Sequence, residues 1–261
     1  YGVQGNESND VAYLSPAWMR LLDFTVRTAG NLGLNVDLTS GTGWCFGGPG
    51  VTDGEANATL LVRSTNLTAG AACDAPLDAS RIQALLAFGP GGARTNLLPR
   101  VRAGGGLDWV APGTGWVLHA IGQRPSGQRV KRAAPGGEGW MLNPAFPPAM
   151  ERFVGWLDGA FATHTGAVPR AMYHDSFEYR NNWSPALLEA FARRRGYRLE
   201  DRLDVFLSGQ PADLAARVKC DYRETLSDLI VEETFPVWAR WARGRGFRTR
   251  NQAHGAAANW L

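Results

Sequence analysis

Residues 174–179, His174-Asp175-Ser176-Phe177-Glu178-Tyr179, place an imidazole and two carboxylates where an apolar stretch, Ala171-Met172-Tyr173, runs out. Paired carboxylates are the chemistry of glycoside hydrolysis: one protonates the leaving oxygen, and the other activates water or attacks the anomeric carbon. Asp175 and Glu178 are three residues apart and need not face the same way. Asp175 can instead hold His174 or a metal ion while Glu178 turns inward. A plainer use of the same residues is Asp175 as a turn cap and Glu178 as the partner of Arg180.

Two further groups invite a chemical reading. Alternate residues of an extended segment share a face, so Arg250, Gln252 and His254 point together. A guanidinium, an amide and an imidazole on one face suit sugar hydroxyls or a carboxylate; a buried histidine beside a structural arginine is the alternative. Residues 40–48 form a glycine-rich loop in which Trp44 and Phe46 sit between glycines. Such a loop can offer an indole as a platform for the apolar face of a pyranose ring. Asp37, in the strand before it, is a buried ligand or a hydrogen-bond anchor. Oxygen ligands from Asp37, Asp175 or Glu178 suit calcium better than a transition metal. Asp221, Glu224, Thr225 and Asp228 share one helix face, by default a solvated one.

The elements that must carry these residues alternate. Ser15 caps a helix with Pro16 in its first turn, and a strand at residues 34–38 leads into the glycine-rich loop. Residues 52–143 hold strand candidates at 60–62, 82–88 and 116–122, separated by Gly- and Pro-rich turns. From residue 145 the alternation returns: a helical stripe (Met150, Phe153, Val154, Leu157, Phe161), a strand at 170–174, a helix from Ser184 to Gly196, a long helical region from 212 to 243 kinked at Pro236, and a strand at 247–255. The expected architecture is α/β: a partial (β/α)8 TIM-type barrel over residues 1–51 and 144–261, with 52–143 as a β-rich insertion or elaborated connection. Polar groups at several separate strand ends favour the barrel over a doubly wound sheet. About four core strands, half of what a barrel needs, lead to the expectation of a chain cut at both ends.

Composition excludes several classes. The chain has 261 residues, 44% hydrophobic and 20% charged, with a net charge of +3. Its 27 basic residues include two lysines, Lys131 and Lys219, and the arginines are dispersed among acids, which argues against a nucleic-acid surface. No apolar run approaches the ~20 residues needed to span a bilayer. Three cysteines without CxxC spacing fit neither a disulfide framework nor a zinc ribbon. No GxSxG, no GxGxxG after a first strand and no GxxxxGK[ST] occurs, so no organic cofactor or serine nucleophile is expected. Cys45 lies in the loop with nothing to mark it as activated.

Taken together, Tyr13-Leu14-Ser15-Pro16-Ala17-Trp18, residues 38–49, the His174–Glu178 stretch and Gln252-Ala253-His254-Gly255 resemble glycoside hydrolase family 106, the α-L-rhamnosidases, in order and approximate spacing along nearly the whole chain. The resemblance implies a barrel catalytic domain, inverting hydrolysis of terminal α-L-rhamnose from a carbohydrate substrate, calcium near that substrate, and an extracytoplasmic home. It implies Glu178 as the general acid, with the general base expected beyond Leu261. Trp44, His174, Asp175, Arg250, Gln252 and His254 are the expected substrate contacts, with Asp37 and Asp175 as the metal candidates. An acid must be protonated at working pH, so burial or the Asp175 charge is expected to raise the pKa of Glu178. A carbohydrate-binding protein without catalysis, or a barrel glycosidase for another sugar, are the alternatives.

Overall fold

The computed structural model describes residues 5–76, 78 and 81–252. In chain order the helices are α1 (Pro16–Asn31), α2 (Pro147–Ala162), α3 (Leu187–Arg195), α4 (Leu203–Ser208), α5 (Ala212–Asp228) and α6 (Phe235–Gly244). The strands are β1 (Asp37–Thr39), β2 (Gly47–Gly48), β3 (Ala58–Leu67), β4 (Ala72–Asp74), β5 (Ile82–Phe88), β6 (Arg94–Asn96), β7 (Gly106–Val110), β8 (Trp116–Pro125), β9 (Trp140–Met141), β10 (Ala171–His174) and β11 (Arg248–Asn251). They divide into two compact units.

The first unit joins Tyr1–Ala58, Pro125–Asn181 and Ser227–Leu261. Its centre is a parallel sheet in the order β1-β10-β11. The register places Thr39 beside Tyr173 and Tyr173 beside Arg250. Parallel strands need long crossovers, and helices supply them here. α1 starts where expected: the Ser15 hydroxyl accepts from the Trp18 N–H at 3.2 Å, and Pro16 occupies the first turn. Met19 and Leu22 of α1, Met150, Phe153, Val154, Leu157 and Phe161 of α2, and Trp238 and Ala242 of α6 bury Met172 of β10 in one core. The helical stripe read from residues 150–161 is thus the buried face of α2. Leu21 lies off the buried face of α1 and is half exposed.

The helical run expected to kink at Pro236 is entered instead through a π-helical turn, Leu229–Thr234, directly before α6. Proline has no N–H and its ring crowds the carbonyl one turn back, so a widened turn ahead of it relieves the conflict. The strand expected at 34–38 starts three residues later, at Asp37–Thr39, because residues 32–35 lie exposed after α1.

The second unit joins Thr59–Arg124 and Asn182–Leu226. Its four-stranded sheet has the order β3-β8-β5-β6, with β5 antiparallel to both β8 and β6. Leu85, Ala87, Leu97, Leu118 and Ala120 form its core. The strands read at 60–62, 82–88 and 116–122 are all in this sheet. Residues 182–226, assigned with the barrel segments on sequence grounds, cluster with the insertion. The acidic helix face there is not simply solvated: Asp221 accepts from the Tyr197 hydroxyl at 2.6 Å, and Glu224 pairs with Arg195.

The architecture is mixed α/β. The parallel sheet has three strands among the described residues and does not close, so the barrel expectation is met only to the level of parallel strands with helical crossovers.

Candidate active site

The loop that follows β10 is fixed by an alternation. Phe177 and Tyr179 are buried with Cys45 and Met141 in a small core that also takes up Phe235. Glu178, between them in sequence, is therefore turned the other way. The Cys45 thiol donates to the Ser176 carbonyl and accepts from the Glu178 N–H, both at 3.3 Å. Gln128 donates its side-chain N–H to the Glu178 carbonyl at 2.9 Å and accepts from the Arg180 N–H at 2.5 Å. The Tyr179 hydroxyl accepts from the Phe46 N–H at 3.0 Å. The backbone of the loop is thus held on both sides before any substrate arrives.

The Glu178 carboxylate meets three donors. Trp44 offers its indole N–H at 3.2 Å and Ser176 its hydroxyl at 2.6 Å, both to Oε1, while Lys131 pairs with Oε2. Lys131 reaches this place through the backbone: residues 44 and 131 form an antiparallel bridge, N–H to carbonyl at 3.2 Å one way and 2.7 Å the other. Gly43 makes the bridge possible, since a Cβ there would lie 2.2 Å from the Lys131 carbonyl oxygen. The cations of Lys131 and Arg132 lie 6.0 and 5.8 Å from the Trp44 ring centroid.

This environment corrects the expectation for the acid. The Glu178 pKa is lowered to about 2, not raised, chiefly by the Lys131 contact, with the Ser176 and Trp44 hydrogen bonds adding to it. Burial opposes the shift but loses, because the side chain keeps 35% of its exposure while three donors stabilise the charge. As it stands Glu178 is a carboxylate.

His174 is also corrected. Its ring is 1% exposed, packed edge-on against Phe46 and Phe235, and so offers almost no surface for the substrate contact expected of it. Nδ1 faces the Asn251 side-chain oxygen at 3.0 Å and Nε2 faces the Tyr179 hydroxyl at 3.4 Å, which suits a neutral ring protonated at Nδ1. Burial lowers its pKa to about 4. The residue ties β10 to β11 and to the loop, and so positions Glu178 at second hand. Burial likewise pushes the Cys45 thiol up to about 12, which leaves it a hydrogen-bonding group and no nucleophile.

A second polar group lies on the parallel sheet. Asp37 accepts from Arg170 Nε at 2.9 Å and Nη2 at 2.6 Å, and from Arg250 Nη1 at 2.5 Å. These guanidiniums, Arg170 first, lower its pKa. Arg250 also lies over Tyr173, 5.4 Å from the ring centroid, and the Tyr173 hydroxyl donates to Gln252 at 3.3 Å. Arg250 and Gln252 do share a face, as alternation requires, but the Arg250 charge is already spent on Asp37. His254 lies outside the described residues.

The metal candidates do not gather. Asp37 has both oxygens on arginines, and one Asp175 oxygen accepts from the Ser176 N–H at 2.7 Å. Among the described residues no three His, Cys, Asp or Glu side chains converge on an ion-sized space, and calcium takes six to eight oxygens.

The residue that sequence reasoning missed is Lys131. A signal for it was present: it is one of two lysines in a chain whose other 25 basic residues are arginine (27 less 2). Gln128 carried no such signal.

Comparisons with known proteins follow the same line. A putative β-glucuronidase of Formosa agariphila is 23% identical over 286 residues, covering 88% of this chain and 24% of that protein. The solved rhamnosidase from Novosphingobium sp. PP1Y superposes with a TM-score of 0.74 at 16% identity, covering 93% of this chain and 41% of that one, a likeness of fold. The chain spans about a quarter of the first and two fifths of the second. Residues 95–261, well over half of the chain and including the whole Glu178 loop, match the family described as alpha-L-rhamnosidase. The chain belongs to glycoside hydrolase family 106.

Proposed function

We propose that this protein hydrolyses glycosides with a terminal α-L-rhamnose, with Glu178 as a catalytic carboxylate and Trp44 as the platform beside it. One observation carries the reading: a carboxylate at the carboxyl end of a parallel strand, held by an indole, a hydroxyl and an ammonium, in a chain of this family. The resting carboxylate is no proton donor. Its service as the acid starts when a sugar hydroxyl takes over the Lys131 ammonium: Glu178 then takes up a proton from solvent and passes it to the leaving oxygen, which departs as the alcohol while water bonds to the anomeric carbon and gives its proton to the second carboxylate. An inverting course belongs to the proposal and requires a second carboxyl about 6.5–9.5 Å away. The parallel strands are proposed as part of a barrel, and the site of action as extracytoplasmic, where polymeric carbohydrate is met. No calcium-dependent step is included.

The name of the Formosa relative gives the competing substrate, a β-D-glucuronide. Lys131 and Arg132 beside Trp44 would suit the carboxylate of a uronic acid. A panel of aryl glycosides separates the two. The proposal expects turnover of the α-L-rhamnoside, with β-D-glucuronide, β-D-glucoside and β-D-galactoside at least about a hundredfold slower in kcat/KM. Preference for the glucuronide replaces rhamnose as the substrate; binding of rhamnoside with no turnover of any member removes catalysis.

A further inference from the structure

Within the second unit, an open, groove-like cavity of about 460 Å³ lies between the sheet and α4. Ser64 of β3 and His119 of β8 meet in it, Oγ to Nδ1 at 2.7 Å. Phe88 of β5, Val117 of β8 and Leu207 of α4 give it apolar wall, and Asp204 and Ser208 of α4 line its opposite side. The Phe88 and His119 ring centroids are 5.7 Å apart. Nothing in the Glu178 chemistry uses these residues.

The chemistry of the lining selects a ligand class. It has one carboxylate, one imidazole, two hydroxyls and an aromatic ring, and no lysine or arginine. An anion would meet Asp204 without a counter-ion. Burial lowers the His119 pKa, opposed by the Asp204 charge, so near neutral pH the ring is an uncharged donor and acceptor. A carboxylate accepting from neighbouring hydroxyls, an imidazole and a serine at the same end, and an aromatic face for C–H surface are the means by which proteins hold neutral sugars. The volume lies within the range of small-molecule sites.

We propose that this cavity is a second carbohydrate site, binding a neutral monosaccharide unit through Asp204, His119 and Ser64 with its apolar face on Phe88. It does not depend on the assignment of Glu178, because a protein with no hydrolytic activity could still bind here. With four histidines in the chain, the imidazole ¹H–¹³C resonances are few, and a His119→Asn spectrum assigns the one of interest. The probe is methyl α-L-rhamnoside titrated into the protein, with inorganic phosphate and methylammonium as anionic and cationic controls. The expected result is a saturable shift of the His119 resonance with the glycoside alone, weakened at least about tenfold in Asp204→Asn and unchanged in Glu178→Gln. Absence of a saturable shift overturns the proposal. So does an equal response to phosphate or methylammonium, an unaltered response in Asp204→Asn, or loss of the response in Glu178→Gln.

Discussion

At the scale of single residues, the decisive contest is over the charge on Glu178. Burial raises a carboxyl pKa and donors lower it; here three donors face a side chain that keeps a third of its exposure, and the donors win. The sequence displayed Glu178 and Trp44 but hid this outcome, because the principal donor lies 47 residues away on a different segment. Asp175, the neighbour expected to raise the pKa, instead caps the loop through the Ser176 N–H. The corresponding prediction concerns Lys131→Met. Removing the ammonium should move the Glu178 titration, followed by its side-chain ¹³C resonance, from about 2 toward the ordinary glutamate value of about 4.3, while Lys131→Arg stays low. An unmoved midpoint in Lys131→Met would show that Ser176 and Trp44 suffice and that the pair is incidental.

At the scale of elements, the site depends on how the 40–48 loop and the segment around residue 131 are zipped together. Glycine richness in the loop was plain from sequence, and its reason is local: Gly43 lets two backbones meet with no room for a Cβ. Alternation explained why Arg250 and Gln252 share a face, and why Phe177 and Tyr179 turn inward while Glu178 does not. Periodicity found α2 and its buried stripe, because that stripe faces a single core. It did not find the π-helical turn before Pro236, since a widened turn preserves the apolar pattern closely enough to read as α-helix. Gly43→Ala should therefore force the bridge apart, destabilising the protein by about 1–3 kcal/mol. Chemical denaturation would record the loss, and the Glu178 midpoint should rise as Lys131 withdraws. Wild-type stability with an unchanged midpoint would mean that the bridge does not position Lys131.

At the scale of the whole molecule, two groups link folding to acid in the same direction. His174 has a folded pKa of about 4 against an ordinary 6.5, so the unfolded chain binds the proton first as pH falls. Its contribution is complete above pH 6.5 and lost between 6.5 and 4, on the order of 3 kcal/mol by the size of the shift. Glu178, depressed from 4.5 to about 2, adds a loss that begins lower and runs between those values. Stability should accordingly fall from pH 7 to pH 4, and His174→Phe, if it folds, should flatten the upper part of that decline. A flat profile between pH 6.5 and 4 in the wild type would contradict a buried neutral His174. What the sequence concealed at this scale is the partition into units. Residues 182–226 carry the helix signals of a barrel segment, yet they cluster with the insertion sheet, because long-range packing has no periodicity of its own.

The most direct measurement is the hydrolysis of rhamnosides by Glu178→Gln. We predict that a rhamnoside with a poor, alkyl leaving group loses at least about a thousandfold in kcat, while an activated aryl rhamnoside, whose leaving group needs little protonation, loses far less. Small and equal losses on both substrates, in a variant that keeps the wild-type fold, would contradict the assignment of Glu178 as the residue that delivers the proton.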